Sequence, residues 1–200
     1  MIKFFKSLYI HNRFFSYISV FSALFLISFW LPVIYNATWL LVWLFLITMC
    51  IDLVILYRFK NGFSSKRIVS DKLSNSDENE IAITLENKYP FQVFVSLIDE
   101  LPVQFQKRDF AYKTSLQSAE KSTFTYSVRP VERGVYNFGS IHVFVSSILQ
   151  IFSRRYTFSD ANDVKVYPSY VQMKKYEFLA MHNNLTEFGM KKIRRIGHTM

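Results

Sequence analysis

Asp52 has the most unusual setting in this sequence: the 38 positions between Arg13 and Asp52 contain no Asp, Glu, Lys or Arg. A carboxylate at the end of such a run is costly to bury, and inside a membrane segment it often handles protons or ions. A plainer role fits its position better. Asp52 stands six residues before Arg58, about 9 Å of helix rise away, so its side chain can approach a polar boundary. In an antiparallel helical hairpin that depth faces Ser16, Tyr17 and Ser19. Ser16, Ser19 and Ala23 form a small-residue stripe suited to close helix contact. We expect Asp52 to be hydrogen-bonded to this stripe or to Tyr17.

The other chemistry-bearing residues are scattered. His11, His142, His182 and His198 lie far apart, and no Cys or carboxylate joins any of them at metal-ligand spacing. His142 falls opposite Ile141 and Val143 in an alternating run, which predicts a solvated side chain. Asp77-Glu78 and Asp99-Glu100 are adjacent pairs, whose side chains diverge in a strand and suit a loop; they are unlike two carboxylates facing across a cleft. There is neither a Gly-x-Ser-x-Gly elbow nor a Gly-x-x-x-x-Gly-Lys-[Ser/Thr] phosphate loop, and five glycines leave little material for one. The sequence thus offers no catalytic, cofactor-binding or metal-ligating residue. It points to a protein that is not an enzyme, with no evident small-molecule substrate. The run Lys191-Lys192-Ile193-Arg194-Arg195 could hold anionic lipid at about 1 kcal/mol per charge. It lies far from the apolar segments and has no interleaved aromatic residue to stack a base, so it reads as a solvated linker or partner contact and not as a nucleic-acid site.

Two kinds of element must position these residues. The chain is 50% hydrophobic with 21 Phe, 12 Tyr and 3 Trp, which excludes a disordered tail. A single cysteine, Cys50, excludes a disulfide-stapled secreted module. Residues 14–34, as a helix, reach about 32 Å against a hydrocarbon core of about 30 Å, and residues 38–57 make a second span. Between them Pro32-Val33-Ile34-Tyr35-Asn36-Ala37 reads as a short turn, flanked by Trp30 and Trp39 as interfacial aromatics often are. Lys3, Lys6 and Arg13 precede the first span, Arg58, Lys60, Lys66 and Arg67 follow the second, and the loop has no Lys or Arg. The positive-inside rule then places both ends in the cytoplasm. A cleaved signal peptide is not indicated, because no small-x-small site follows the first apolar run and a second run follows at once. The net charge of +9 divides into +4 over residues 1–60, where it sets orientation, and +5 over residues 61–200.

Past Lys60 the pattern changes to short alternating runs. Residues 80–87 put Ile81, Ile83 and Leu85 on one face, and residues 91–99 do the same with Phe91, Val93, Val95 and Leu97. Residues 122–129 group Phe124, Tyr126 and Val128; residues 135–145 carry Val135, a Tyr136/Phe138 pair, then Ile141, Val143 and Val145. Residues 151–158, 164–167 and 66–73 are further candidates. This period-two pattern predicts an all-β, antiparallel, sandwich-like (Ig-like) module over residues 61–168, with a solvated face. Residues 71–79 and 108–121 read as loops. Ser169 can cap a short helix through His182, with Met173, Tyr176, Leu179 and Ala180 on one side. The expected organisation is a tail and two-span hairpin over 1–60, the β module over 61–168, and a short helix with a basic linker over 169–200.

In combination, several motifs resemble the N-terminal part of the family called domain of unknown function 58. They are Asn87 at a strand end, Asp99-Glu100-Leu101-Pro102, Arg129-Pro130-Val131-Glu132-Arg133-Gly134-Val135-Tyr136-Asn137-Phe138-Gly139, Val166-Tyr167-Pro168, and residues 189–198 with Arg194-Arg195-Ile196-Gly197. That family comprises bacterial membrane proteins often encoded beside a MoxR-type AAA ATPase. Its pattern implies a two-span hairpin, a β-sandwich and then a larger domain resembling a von Willebrand factor type A fold. The resemblance covers nearly all of this chain and half of a family member. The family's signature box, with its Arg-x-Tyr, Gly-Asp and Ile-x-Trp elements, would start after Met200, so the chain is expected to be truncated or fragmentary. In the matched run Pro130 and Gly134 shape a hairpin turn, Tyr136 and Phe138 share a strand face, and Arg133 is placed to tie the turn to Asp99 or Glu100. Ser147-Ile148-Leu149-Gln150-Ile151-Phe152 departs from the family's Asp-Pro-Phe-Gly-Leu-Phe and loses the Pro and Gly of a tight turn.

The resemblance implies a non-enzymatic scaffold or docking protein in the bacterial inner (cytoplasmic) membrane, with its N-terminus and β module cytoplasmic. Its partners would be the lipid bilayer, a MoxR-type AAA ATPase and von Willebrand factor A-type membrane proteins, in protein maturation or envelope stress. Two other readings stay open. One is the targeting half of an enzyme whose catalytic part lies beyond residue 200. The other is a ligand- or lipid-sensing module, which needs an apolar pocket between the sheets.

Overall fold

The computed structural model describes residues 6–105, 111–169, 174, 177, 178 and 180. A short strand β1 (Leu8–Ile10) leads into helix α1 (Asn12–Trp30), and helix α2 (Pro32–Arg58) returns after Leu31 alone. Both helices are long and apolar enough to cross a membrane. The turn expected at 32–37 is instead the first turn of α2. Pro32 opens that helix, where its fixed φ suits the helical backbone and its missing N–H leaves nothing unsatisfied. The chain reverses at Leu31, whose N–H donates to Ile27 O at 3.2 Å. The two helices therefore run 12–30 and 32–58 rather than 14–34 and 38–57.

Aromatic side chains form the seam between the helices. Phe14, Tyr17, Phe21 and Phe25 recur along one side of α1 and meet Phe45, Trp39 and Tyr35 of α2, with ring centroids between 5.2 and 6.4 Å. These spacings favour tilted and edge-to-face aromatic pairs. The stripe of Ser16, Ser19 and Ala23 is exposed instead.

Ten further strands follow: β2 (Phe63–Ile68), β3 (Lys72–Ser74), β4 (Asn79–Asn87), β5 (Val93–Asp99), β6 (Ala111–Leu116), β7 (Lys121–Val128), β8 (Gly134–Phe138), β9 (Ile141–Ser146), β10 (Phe152–Phe158) and β11 (Asn162–Tyr167). They build a five-stranded sheet in the order β1-β10-β9-β5-β6 and two three-stranded sheets, β2-β4-β7 and β3-β11-β8. Every ladder is antiparallel except β3 with β11. The alternation in β4, β5 and β9 points Ile81, Ile83, Leu85, Val93, Val95, Leu97, Ile141, Val143 and Val145 into one core, which Tyr136, Phe138, Leu73 and Val164 complete from the third sheet. The chain is thus two long apolar helices followed by an all-β, mainly antiparallel domain.

Four local readings need correction. Residues 108–121 contain β6, an outer strand that buries only Leu116 and so shows no apolar period. Residues 71–79 contain β3, which buries only Leu73. Pro130 closes no hairpin, because β7 and β8 belong to different sheets and the segment between them crosses from one to the other. The β9–β10 turn forms without Pro or Gly: Gln150 itself adopts φ 51, and its N–H donates to Ser147 O at 3.2 Å. Of the helix expected from Ser169 through His182, Lys174, Glu177, Phe178 and Ala180 are described and helical. His182, His198 and the 191–195 run lie outside the described residues.

One buried ion pair joins the three sheets. The Arg67 guanidinium (β2) pairs with the Asp99 carboxylate (β5), both side chains being fully buried. Arg67 also donates to Gly139 O at 3.0 Å and to Asp160 O at 2.9 Å, while its backbone N–H donates to Asp160 Oδ2 at 2.9 Å. Its guanidinium lies 5.1 Å from the Phe138 ring centroid (β8). Asp99 accepts the Tyr126 hydroxyl (β7) at 2.5 Å, and burial together with the Asp99 charge pushes that phenol far above its usual value. Arg133, expected to reach Asp99 or Glu100, is exposed, since its segment crosses between sheets rather than folding back. Removing one partner of such a pair leaves an uncompensated buried charge, so Arg67→Met should cost about 3–5 kcal/mol. The double variant Arg67→Met/Asp99→Leu should recover much of that loss, as chemical denaturation of the purified protein will read.

Candidate functional site

A helix ends with carbonyls that have no intrahelical donor. For α2 the β domain supplies the donors. Arg154 of β10 donates from Nη1 to Leu56 O at 2.8 Å and Phe59 O at 2.7 Å, and from Nη2 to Lys60 O at 3.1 Å. A cation here also complements the negative end of the helix dipole. The rings of Tyr57 and Tyr156 lie 4.8 and 4.7 Å from the guanidinium, positions that favour cation–π attraction. Tyr89 Oη donates to Leu56 O at 2.9 Å and shares a 2.6 Å bond with Tyr156 Oη. Burial raises both Tyr89 and Tyr156 above the usual phenol range.

Asp52 forms the second half of the joint. It is fully buried and accepts hydrogen bonds from Ser147 Oγ and, at 3.0 Å, from the Phe152 N–H. Both donors flank the β9–β10 turn. Asp52 does not reach Ser16, Ser19 or Tyr17 because the reversal occurs at Leu31. With so short a turn, Asp52 stands level with β1 and the start of α1, where the β domain is its neighbour. There Leu56, Ile151 and Phe152 make a separate apolar cluster with Leu8, Phe14, Phe45, Met49, Leu53 and Tyr57.

The N-terminal tail closes the joint. In β1, Leu8, Tyr9 and Ile10 pair with Arg154, Ser153 and Phe152, and the His11 N–H donates to Ile151 O at 3.0 Å. Ser7 Oγ meets Tyr57 Oη at 3.0 Å, and Arg155 donates to Tyr9 Oη at 2.9 Å. Three residues are too few to show alternation, so β1 left no readable period. The joint orients one body on another. Among the described residues no three His, Cys, Asp or Glu side chains could hold a metal ion.

The remaining candidates serve local structure. His142 is half-buried rather than solvated: its Nε2 meets Glu100 Oε1 at 2.7 Å and its Nδ1 meets Thr157 Oγ1 at 3.2 Å. Glu100 Oε2 accepts the Ser140 N–H at 2.9 Å. The bond to His142, then that to Ser140, hold Glu100 below the usual carboxylate range. Asp77 is likewise lowered by the hydroxyls of Ser169 and Ser74, at 2.6 and 2.5 Å.

No protein-family model matches the chain, and no curated protein matches it. Among solved structures the chain is similar to a CARDB domain from Pyrococcus furiosus in complex with di-metal ions, at 16% identity over 54% of this chain and 93% of that one, with TM-score 0.36. It is similar to the seventh PapD-like domain of human CEP192 at 12% identity over 55% and 87%, with TM-score 0.37. A third likeness is to the C-terminal domain of wzt, at 14% identity over 54% and 75%, with TM-score 0.37. Likenesses at this level carry no argument, and the site rests on its own geometry.

Two consequences can be measured. Asp52→Leu leaves the Phe152 N–H buried without its acceptor, a loss of about 1–3 kcal/mol. Hydrogen exchange at Phe152 should accelerate by roughly 5- to 150-fold, while amides in the distant β4 keep their protection. For Glu100, the folded pKa lies below the ordinary 4.5. Its stabilisation is therefore complete above that value and lost as pH falls through the folded one. The melting temperature of the wild type should drop more steeply below pH 4.5 than that of Glu100→Gln.

Proposed function

We propose that this chain is a non-enzymatic docking protein of the bacterial inner membrane. In this reading α1 and α2 span the bilayer as a hairpin, and the β domain stands on the cytoplasmic side as a surface for assembly. The observation that carries the reading is the joint: the β domain is bonded to α2 at Asp52 and Leu56, to Phe59 and Lys60 just past the helix, and to the preceding segment through β1. A domain gripped in this way keeps a fixed height and angle above the bilayer, which suits a partner that must itself be oriented at the membrane. The length of α2 supports the same view. Its 27 residues make about 40 Å of helix against a hydrocarbon core of about 30 Å, and the surplus includes the stretch that the β domain grips. Lys6, Arg13, Arg58 and Lys60 at the gripped end favour a cytoplasmic position.

The resemblance to the domain of unknown function 58 family supplies the partner class: a MoxR-type AAA ATPase with von Willebrand factor A-type companions. Affinity capture of the intact protein from native membranes should recover an AAA ATPase, and Arg154→Glu should lower the yield at equal expression. Recovery of no ATPase, or equal recovery with Arg154→Glu, counts against the reading. Topology is checked separately in a Cys50→Ser background. An impermeant maleimide on spheroplasts should label Asn36→Cys, and should label Thr123→Cys only after permeabilisation.

A further inference from the structure

On the outer side of the five-stranded sheet, where β1 meets the start of α1, lies a cleft of about 180 Å³. At about 30 Å³ per water, it has room for a phosphate and its first ester carbon. Its wall includes His11, Lys113, Ser96 and Gln150, with Lys113 directly opposite Ser96 in the β5–β6 ladder. No carboxylate lines it. Arg13 and Lys113 have no ion-pair partner among the described residues, and their charges, after burial, hold the His11 imidazole below its usual range. His11 and Lys113 thus line the cleft, with no carboxylate among its lining residues to balance Lys113. Gln150 adds an amide from the β9–β10 turn: its residue is only 9% exposed and lines the cleft.

We propose that this cleft binds a phosphate group, held by Lys113, by the Gln150 amide as donor and by the Ser96 hydroxyl. The phosphate can come from a lipid headgroup or from a soluble phosphate ester. Only the lipid source rests on α1 spanning the bilayer, because His11 caps that helix and so sits at its membrane boundary in the proposed topology. A soluble ester needs no membrane, so this inference and the topology fail independently.

The test uses the full chain in nanodiscs, with the His11 ring resonances followed by NMR at fixed pH. In discs of the phosphate-free lipid digalactosyldiacylglycerol, glycerol 3-phosphate is titrated; in a second arm the lipid is changed to phosphatidylglycerol. A saturable one-to-one shift with glycerol 3-phosphate assigns the soluble ester. A shift on changing the lipid, with no response to glycerol 3-phosphate in either disc, assigns the headgroup. In either case Lys113→Glu and Gln150→Leu should weaken the response at least tenfold while the sheet amide spectrum stays unchanged. No response in either arm, or a response that survives both substitutions, overturns the proposal.

Discussion

The carbonyls at the end of α2 and just past it must find donors, and a buried carboxylate one turn earlier must find hydrogen bonds. Both requirements are met by one strand and the turn before it. Arg154 covers the carbonyls of Leu56, Phe59 and Lys60, and Phe152 and Ser147 complete Asp52. Neither body satisfies these groups alone. Separating them would strand a carboxylate and several backbone oxygens in apolar surroundings, the arrangement that costs most. The joint is held by that penalty as much as by the apolar cluster around Leu56, Ile151 and Phe152.

Strand β10 carries this constraint into the core. At its start Phe152 bonds to Asp52, in its middle Tyr156 meets Tyr89, and shortly past its end Asp160 holds Arg67. The same chain segment therefore touches the helix-end joint and the ion pair that unites the sheets. Its neighbour β9 is the central strand of the five-stranded sheet, so the joint stands one ladder away from the buried residues at the middle of that sheet.

Much of the fold was legible because burial on one face leaves a period of two. Ile81, Ile83, Leu85 and Val93, Val95, Leu97 announce β4 and β5 directly. Strands with little burial, β1, β3 and β6, leave no such trace. Pro32 was ambiguous in a specific way: proline stops a helix from within and starts one from its first position. Misplacing that single boundary shifted the register of the hairpin, and with it the partner assigned to Asp52. The partners of Arg154 and Arg67 lie far off in sequence and are set by sheet order, which alternation does not encode.

The pairing of β1 with β10 also orders events during synthesis. Leu8 leaves the ribosome well before its partner Arg154, which follows both helices and the eight strands β2–β9. Until then the tail has no ladder to join and the carbonyls at the end of α2 remain open to solvent. The joint can therefore close only once β10 has been made, and its closure covers the free edge of β10, which would otherwise be open to pairing with another chain.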